Sequence, residues 1–138
     1  MIQSCVLLGT LGVHSIEDIR EKKITVMVTL LSGIIGILLH LFFQNQSIYE
    51  MLTGVLAGSF ILILSRLTKG RIGMGDGIIF MLTGLYLGLI DNLLLMCISF
   101  SLAGIWGLFL VFLKHNSRSE RIPFIPFLFI SYCFMIMR

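Results

Sequence analysis

Charge is what this sequence has least of. Asp, Glu, Lys and Arg make up only 12% of its 138 residues, about half the share of an ordinary globular domain. Hydrophobic residues make up 57%, and the mean hydropathy is +1.04. So little charge on so much apolar surface would drive aggregation in water, which excludes an ordinary soluble domain. Proline is nearly absent, at 2 residues, so few rigid loops are expected. Cysteine is also scarce. Cys5, Cys97 and Cys133 each stand alone in an apolar run with no C-x-x-C pair, which points to neither a zinc site nor a disulfide framework and leaves them as small packing residues. The net charge of +3 is scattered, so no nucleic-acid partner is expected.

What is there in quantity is long apolar runs and 14 glycines. The runs cover approximately residues 2–17, 24–43, 51–67, 77–90, 93–113 and 122–137. A spanning helix needs about 20 apolar residues, so the first and fourth runs are short. They predict an all-α polytopic membrane protein, one membrane-embedded domain over 1–138 with six transmembrane helices in a lipid bilayer. Gly54-x-x-x-Gly58 and Gly84-x-x-x-Gly88 have the spacing that lets helix backbones approach closely. Asp91-Asn92 is expected to form a tight turn, and Pro123 to sit in the first turn of the last helix.

Six crossings put the loops around 14–23, 66–76 and 114–121 on one side. These hold Arg20, Lys22 and Lys23, then Arg66, Lys69 and Arg71, then Lys114, Arg118 and Arg121. Of the ten basic residues only Arg138 is left for the other side. Lys and Arg mark cytoplasmic loops, so three basic cytoplasmic loops are expected, with N- and C-termini outside.

The chain has 7 acidic residues. Asp76 stands among glycines in Lys69 to Phe80, K-G-R-I-G-M-G-D-G-I-I-F, between two apolar runs. An Asp at a membrane helix centre costs about 2.5–3.5 kcal/mol on insertion scales. In the expected topology Asp18 leaves the first helix and Asp76 enters the fourth, both at the cytoplasmic boundary. Facing carboxylates repel, so one keeps its proton near neutral pH while the other ionises. Such a pair could activate a water and protonate a peptide carbonyl, with no metal or other cofactor. A plainer reading stays open beside it. Asp76 could simply favour a helix N-terminus, and Asp18 could be a solvated partner of Lys22 or Lys23. Glu17 and Glu21 are read as surface charge, His14 as incidental to a polar cluster, and Asp91 as serving its turn. Gly73, Gly75 and Gly77 leave Asp76 unobstructed, so that an extended peptide could pass close to the backbone.

Three motifs carry a resemblance. They are Gly73-Met74-Gly75-Asp76, then Asp18-Ile19-Arg20 with Ile24 four residues beyond the Arg, then Pro123-Phe124-Ile125-Pro126-Phe127. In this order and with these spacings the chain resembles the type IV prepilin peptidases, membrane aspartic proteases marked by G-x-G-D. The resemblance implies that Asp18 and Asp76 are catalytic. It also implies that Arg20, Gly73, Gly75, Gly77, Pro123 and Pro126 belong to the motifs around substrate approach. The substrate would be a prepilin-like precursor with an apolar N-terminal helix, losing its short basic leader at the cytoplasmic face of the cell membrane. The chain departs from many members at Ile78, where they have lysine, at Thr25, where they have Pro or Asn, and at Ile125, where they have glycine. It also lacks the cysteine-paired extension of larger relatives, so methylation of the new N-terminus is not expected. A small proton- or cation-coupled transporter would instead need its acids nearer the bilayer midplane. A non-enzymatic assembly subunit would leave the two Asp motifs without a use.

Overall fold

The computed structural model describes residues 2–43, 47–68, 73–113 and 122–138. The basic positions Lys69, Arg71, Lys114, Arg118 and Arg121 lie outside the described residues, as does Glu120. Five helices follow in order: α1 (Ile2–Glu21), α2 (Val26–Phe43), α3 (Ile48–Leu67), α4 (Met74–Leu113) and α5 (Ile125–Met137). No strand occurs among the described residues.

α4 is broken at Gly88, whose φ of 76° and ψ of −173° are not helical. This region of backbone space is essentially open to glycine alone. The helix therefore has two limbs, residues 74–87 and 89–113. The turn expected at Asp91-Asn92 is displaced to Gly88, and both of those residues are helical. Asp91 is exposed, whereas Asn92 is fully buried. The Asn92 amide reaches back across the break, donating from Nδ2 to the carbonyls of Gly54 (3.3 Å) and Phe80 (3.2 Å). Its Oδ1 accepts from the Thr83 hydroxyl at 2.7 Å. A break in an apolar medium leaves backbone groups without water, and Asn92 ties both limbs and α3 together there.

The two glycine pairs meet each other. α3 runs antiparallel to the first limb of α4, with Gly54 against Gly84 and Gly88, Gly58 against the backbone of Phe80 and Met81, and Leu62 against Gly77. A Cβ at Gly54 would fall on the Gly84 carbonyl, and one at Gly58 on the Met81 amide nitrogen. No side chain separates the two backbones, which is the contact that glycines at this spacing permit.

The other helices close round this pair. Leu7 and Leu11 of α1, Ile79, Phe80 and Leu82 of α4, and Ile125 and Leu128 of α5 form the buried core. Outward faces are apolar: Met27, Leu30, Phe42, Phe60, Ile105 and Phe112 are all more than half exposed. Among the described residues α2, α3 and α4 are long and apolar enough to cross a membrane.

Helix ends differ from the sequence expectations for local reasons. α3 starts at Ile48, ahead of the expected 51, because Ser47 and Glu50 form a reciprocal capping box. That motif satisfies two orphan amides and was present as S-x-x-E. α1 continues to Glu21, so Asp18 lies in its last turn and does not leave the helix. α5 begins at Ile125, so Pro126 takes the first-turn position expected of Pro123. Cys5 and Cys97 are exposed, contrary to a packing role, and Cys133 is half-buried.

Candidate active site

Both aspartates are placed by helix ends. Asp76 is the third residue of α4. Its own N–H donates to the Gly73 carbonyl at 3.1 Å, and its carboxylate accepts from the Gly73 N–H. This is the acidic half of a capping box, which fixes the carboxylate over the first turn. Asp18 comes from the last turn of α1 and crosses to α5, where Oδ2 accepts the Ile125 N–H at 3.1 Å; the Phe124 N–H also reaches its carboxylate. Phe124 has no side-chain cap of its own, so Asp18 supplies the missing cap from elsewhere in the chain. No ion pair within 4 Å joins Asp18 to Lys22 or Lys23 among the described residues, though the charge of Lys22 still acts on Asp18.

The two carboxylates line one cavity of about 620 Å³. Its walls come from the α1–α2 connection (Lys22, Lys23, Ile24), the start of α4 (Gly73, Met74, Gly75), Phe100 of the second limb, and the approach to α5 (Ile122 to Ile125). The volume is within the range of about 300–1,000 Å³ common for ligand sites. Phe80, Phe100 and Phe124 pack as a trio beside it, with ring centroids 5.1–5.7 Å apart. They join both limbs of α4 to α5.

The electrostatics of the pair are unequal. Both aspartates lie one residue outside the apolar runs, at the polar end of the bundle. Burial, and then the negative charge of Asp18, push the Asp76 carboxyl up from 3.8 to about 7, against the pull of the Gly73 N–H. Asp18 is also raised by burial, but the amides of Ile125 and Phe124 and the charge of Lys22 oppose the rise. Asp76 is therefore the member that keeps a proton near neutrality, and Asp18 the one that ionises. The titration belongs to the pair as a unit.

The three motif glycines have three separate uses. A Cβ on Gly73 would stand 2.8 Å from Asp76 Oδ2, so the carboxylate occupies that space. Gly75 faces the Ile24 side chain, which a Cβ would meet at 3.3 Å. Gly77 is buried against Leu62 of α3. It serves helix packing and does not border the cavity, contrary to the open approach expected along all three. Pro123 lines the cavity, while Pro126 lies in the α5 first turn outside its lining. Arg20 is exposed and also outside the lining.

Two residues were misread from sequence. His14 is fully buried, with Nδ1 2.9 Å from Glu17 Oε2 and Nε2 3.1 Å from the Thr29 hydroxyl. Glu17 also accepts the Thr25 N–H at 3.0 Å, so this partly exposed carboxylate is held in place by two partners. The i, i+3 spacing of His14 and Glu17 was the available signal. Phe100 had none, because nothing in its apolar run marks it as a cavity residue. Among the described residues no cluster of three His, Cys, Asp or Glu side chains forms that could hold a metal ion.

A helical membrane protein with a cavity at one end of its bundle, entered by two carboxylates, is the class these features define. The chain belongs to the type IV leader peptidase family, whose model matches residues 5–108. It is thus a member of a protease family, as the motifs led one to expect. No curated protein and no solved structure matches it.

Proposed function

We propose that this protein is an aspartic endopeptidase of the membrane, with Asp18 and Asp76 as its catalytic pair. The observation that carries the reading is one cavity lined by both carboxylates, in which burial, and then the charge of Asp18, favour the protonated form of Asp76. Ionised Asp18 takes a proton from water as the water oxygen bonds to the scissile carbonyl carbon. Asp76 gives its proton to the carbonyl oxygen, leaving a neutral tetrahedral diol. On collapse the diol returns a proton to Asp76, Asp18 protonates the departing nitrogen, and the C–N bond breaks. Each carboxyl ends in the state in which it began.

The substrate is taken to be a prepilin-like precursor whose apolar helix lies in the bilayer and whose short basic leader is removed. In this reading the six helical segments are six crossings, the termini are outside, and the cavity faces the cytoplasm. The arrangement of Lys and Arg supports that orientation. Like charge keeps a basic leader off the wall that bears Lys22 and Lys23. The position of both acids at helix ends favours a peptidase over a transporter, which would hold them at midplane.

The test is cleavage of a co-expressed precursor by Asp18→Asn and Asp76→Asn variants. General acid–base groups contribute about 10²- to 10⁴-fold, so each variant should lose at least about 100-fold. Normal cleavage by either one would remove it from the mechanism.

A further inference from the structure

The segment from Asp18 to Ile24 supplies four of the cavity's residues: Asp18, Lys22, Lys23 and Ile24. It has a cost to bear, since Lys22 holds a left-handed backbone with φ of 53°, a conformation that favours glycine. Something must hold this turn. The residues on either side of it, Glu17 and Thr25, are joined directly through the Thr25 N–H and Glu17 Oε2 at 3.0 Å. The same oxygen meets buried His14 at 2.9 Å, and the far nitrogen of His14 meets Thr29 Oγ1 at 3.1 Å. The end of α1 and the start of α2 are thus clasped twice around one imidazole.

We infer that Glu17 and His14 are positioning residues, a clasp that sets the α1–α2 turn so that Asp18 faces Asp76 across the cavity. Glu17 precedes Asp18 in the chain. Ile24, which precedes Thr25, packs against Gly75 next to Asp76. The clasp therefore reaches the cavity by both of its arms. Neither clasp residue lines the cavity, so neither acts on substrate. A carboxylate that accepts two N–H donors also orients more firmly than one bonded once. This inference rests on the proposed role of Asp18 and Asp76, but its structural half does not.

The experiment compares Glu17→Ala and Glu17→Gln with the unaltered protein in lipid nanodiscs. Three things are read: amide hydrogen exchange over residues 22–25, kcat and KM for precursor cleavage, and the pH–rate profile. Glu17→Ala should speed exchange at Thr25 and lower kcat by about 10- to 100-fold with little change in KM, as expected of a misplaced reacting group. Its basic limb should move to lower pH, because a displaced Asp18 repels ionised Asp76 less. Among the described residues, the charged groups facing Asp76 across the cavity are Asp18, Lys22 and Lys23. Glu17→Gln keeps an acceptor oxygen and should recover most of the kcat. Should Glu17→Ala fail to fold, the near-isosteric Thr29→Val, which removes the hydroxyl bonded to His14 Nε2, should shift exchange and kcat in the same direction. Unchanged exchange at Thr25 would overturn the clasp. Faster exchange with unchanged kcat and basic limb would overturn its positioning role. If Asp18→Asn cleaves normally, the catalytic reading fails, while exchange still decides whether the clasp exists.

Discussion

The space beside the Gly73 Cα belongs to the Asp76 carboxylate: a Cβ there would lie 2.8 Å from Oδ2 and 3.2 Å from Cγ. Gly73→Ala must therefore push the carboxylate out of its seat. At Gly75 a Cβ meets only the Ile24 side chain, at 3.3 Å, and that side chain can give way. Gly73→Ala should lower kcat by about 100-fold, since small misplacements of a reacting group cost that much. Gly75→Ala should cost less than about tenfold. Steady-state cleavage in proteoliposomes measures both.

Asp76 makes both activity and stability depend on pH. Cleavage needs Asp18 ionised and Asp76 protonated, so its rate should rise as Asp18 loses its proton and fall again near pH 7. In the folded protein Asp76 titrates at about 7, against an ordinary value of 3.8. Between these values the native state binds more protons than the unfolded one, so stability decreases as pH rises through the window. Asp76→Asn carries no such charge. It should match the unaltered protein in thermal unfolding near pH 4 and exceed it at pH 8. Equal unfolding temperatures at both pH values would count against the buried, raised carboxyl.

Asp18 combines a chemical and a structural part, and two substitutions separate them. Asn keeps an oxygen for the Ile125 N–H, so Asp18→Asn should lose cleavage while retaining the fold. Asp18→Ala loses both, and the absent cap should cost about 1 kcal/mol further. Unfolding of the two variants at pH 6, alongside cleavage, distinguishes them.

Asn92 is the buried polar group on which the Gly88 break depends. Asn92→Ala removes three buried hydrogen bonds, to Thr83, Gly54 and Phe80, although the Thr83 hydroxyl keeps its bond to the Phe80 carbonyl. Lost intramolecular hydrogen bonds cost about 0.5–1.5 kcal/mol each, so this variant should be clearly less stable than the unaltered protein. Because the contact lies on the α3–α4 seam and not at the cavity, kcat of the folded fraction should change little. Thermal unfolding and active-fraction-corrected kinetics check both parts.

The segments carrying the site were legible because their signals were local. Apolar run lengths marked the helices, and Asp18 and Asp76 stood out where charge is rare. The glycine spacings marked α3 and the first limb of α4 as close-packing helices before any pairing was known. What was not legible depended on contacts distant in sequence. Asn92 looked like a turn residue, because Asn-containing dipeptides usually mark turns. Its actual role needs Gly54, 38 residues earlier. Glu17 and His14 looked like surface polarity, since nothing local reveals that Thr25 and Thr29 return to meet them. The capping box at Ser47 was legible and overlooked, because polar residues in a short loop suggested a loop to its end.

The bond between Asp18 and Ile125 joins positions 107 residues apart, and this sets an order of events during biosynthesis. Chains emerge from the N-terminus and fold as they emerge. Asp18 is thus made before its amide partner and waits for it until α5 has been synthesised. The wall formed by Ile122 to Ile125 arrives at the same moment. A nascent chain that has not yet delivered α5 holds both carboxylates but not the enclosure around them, so the cavity can close only after residues 122–125 arrive.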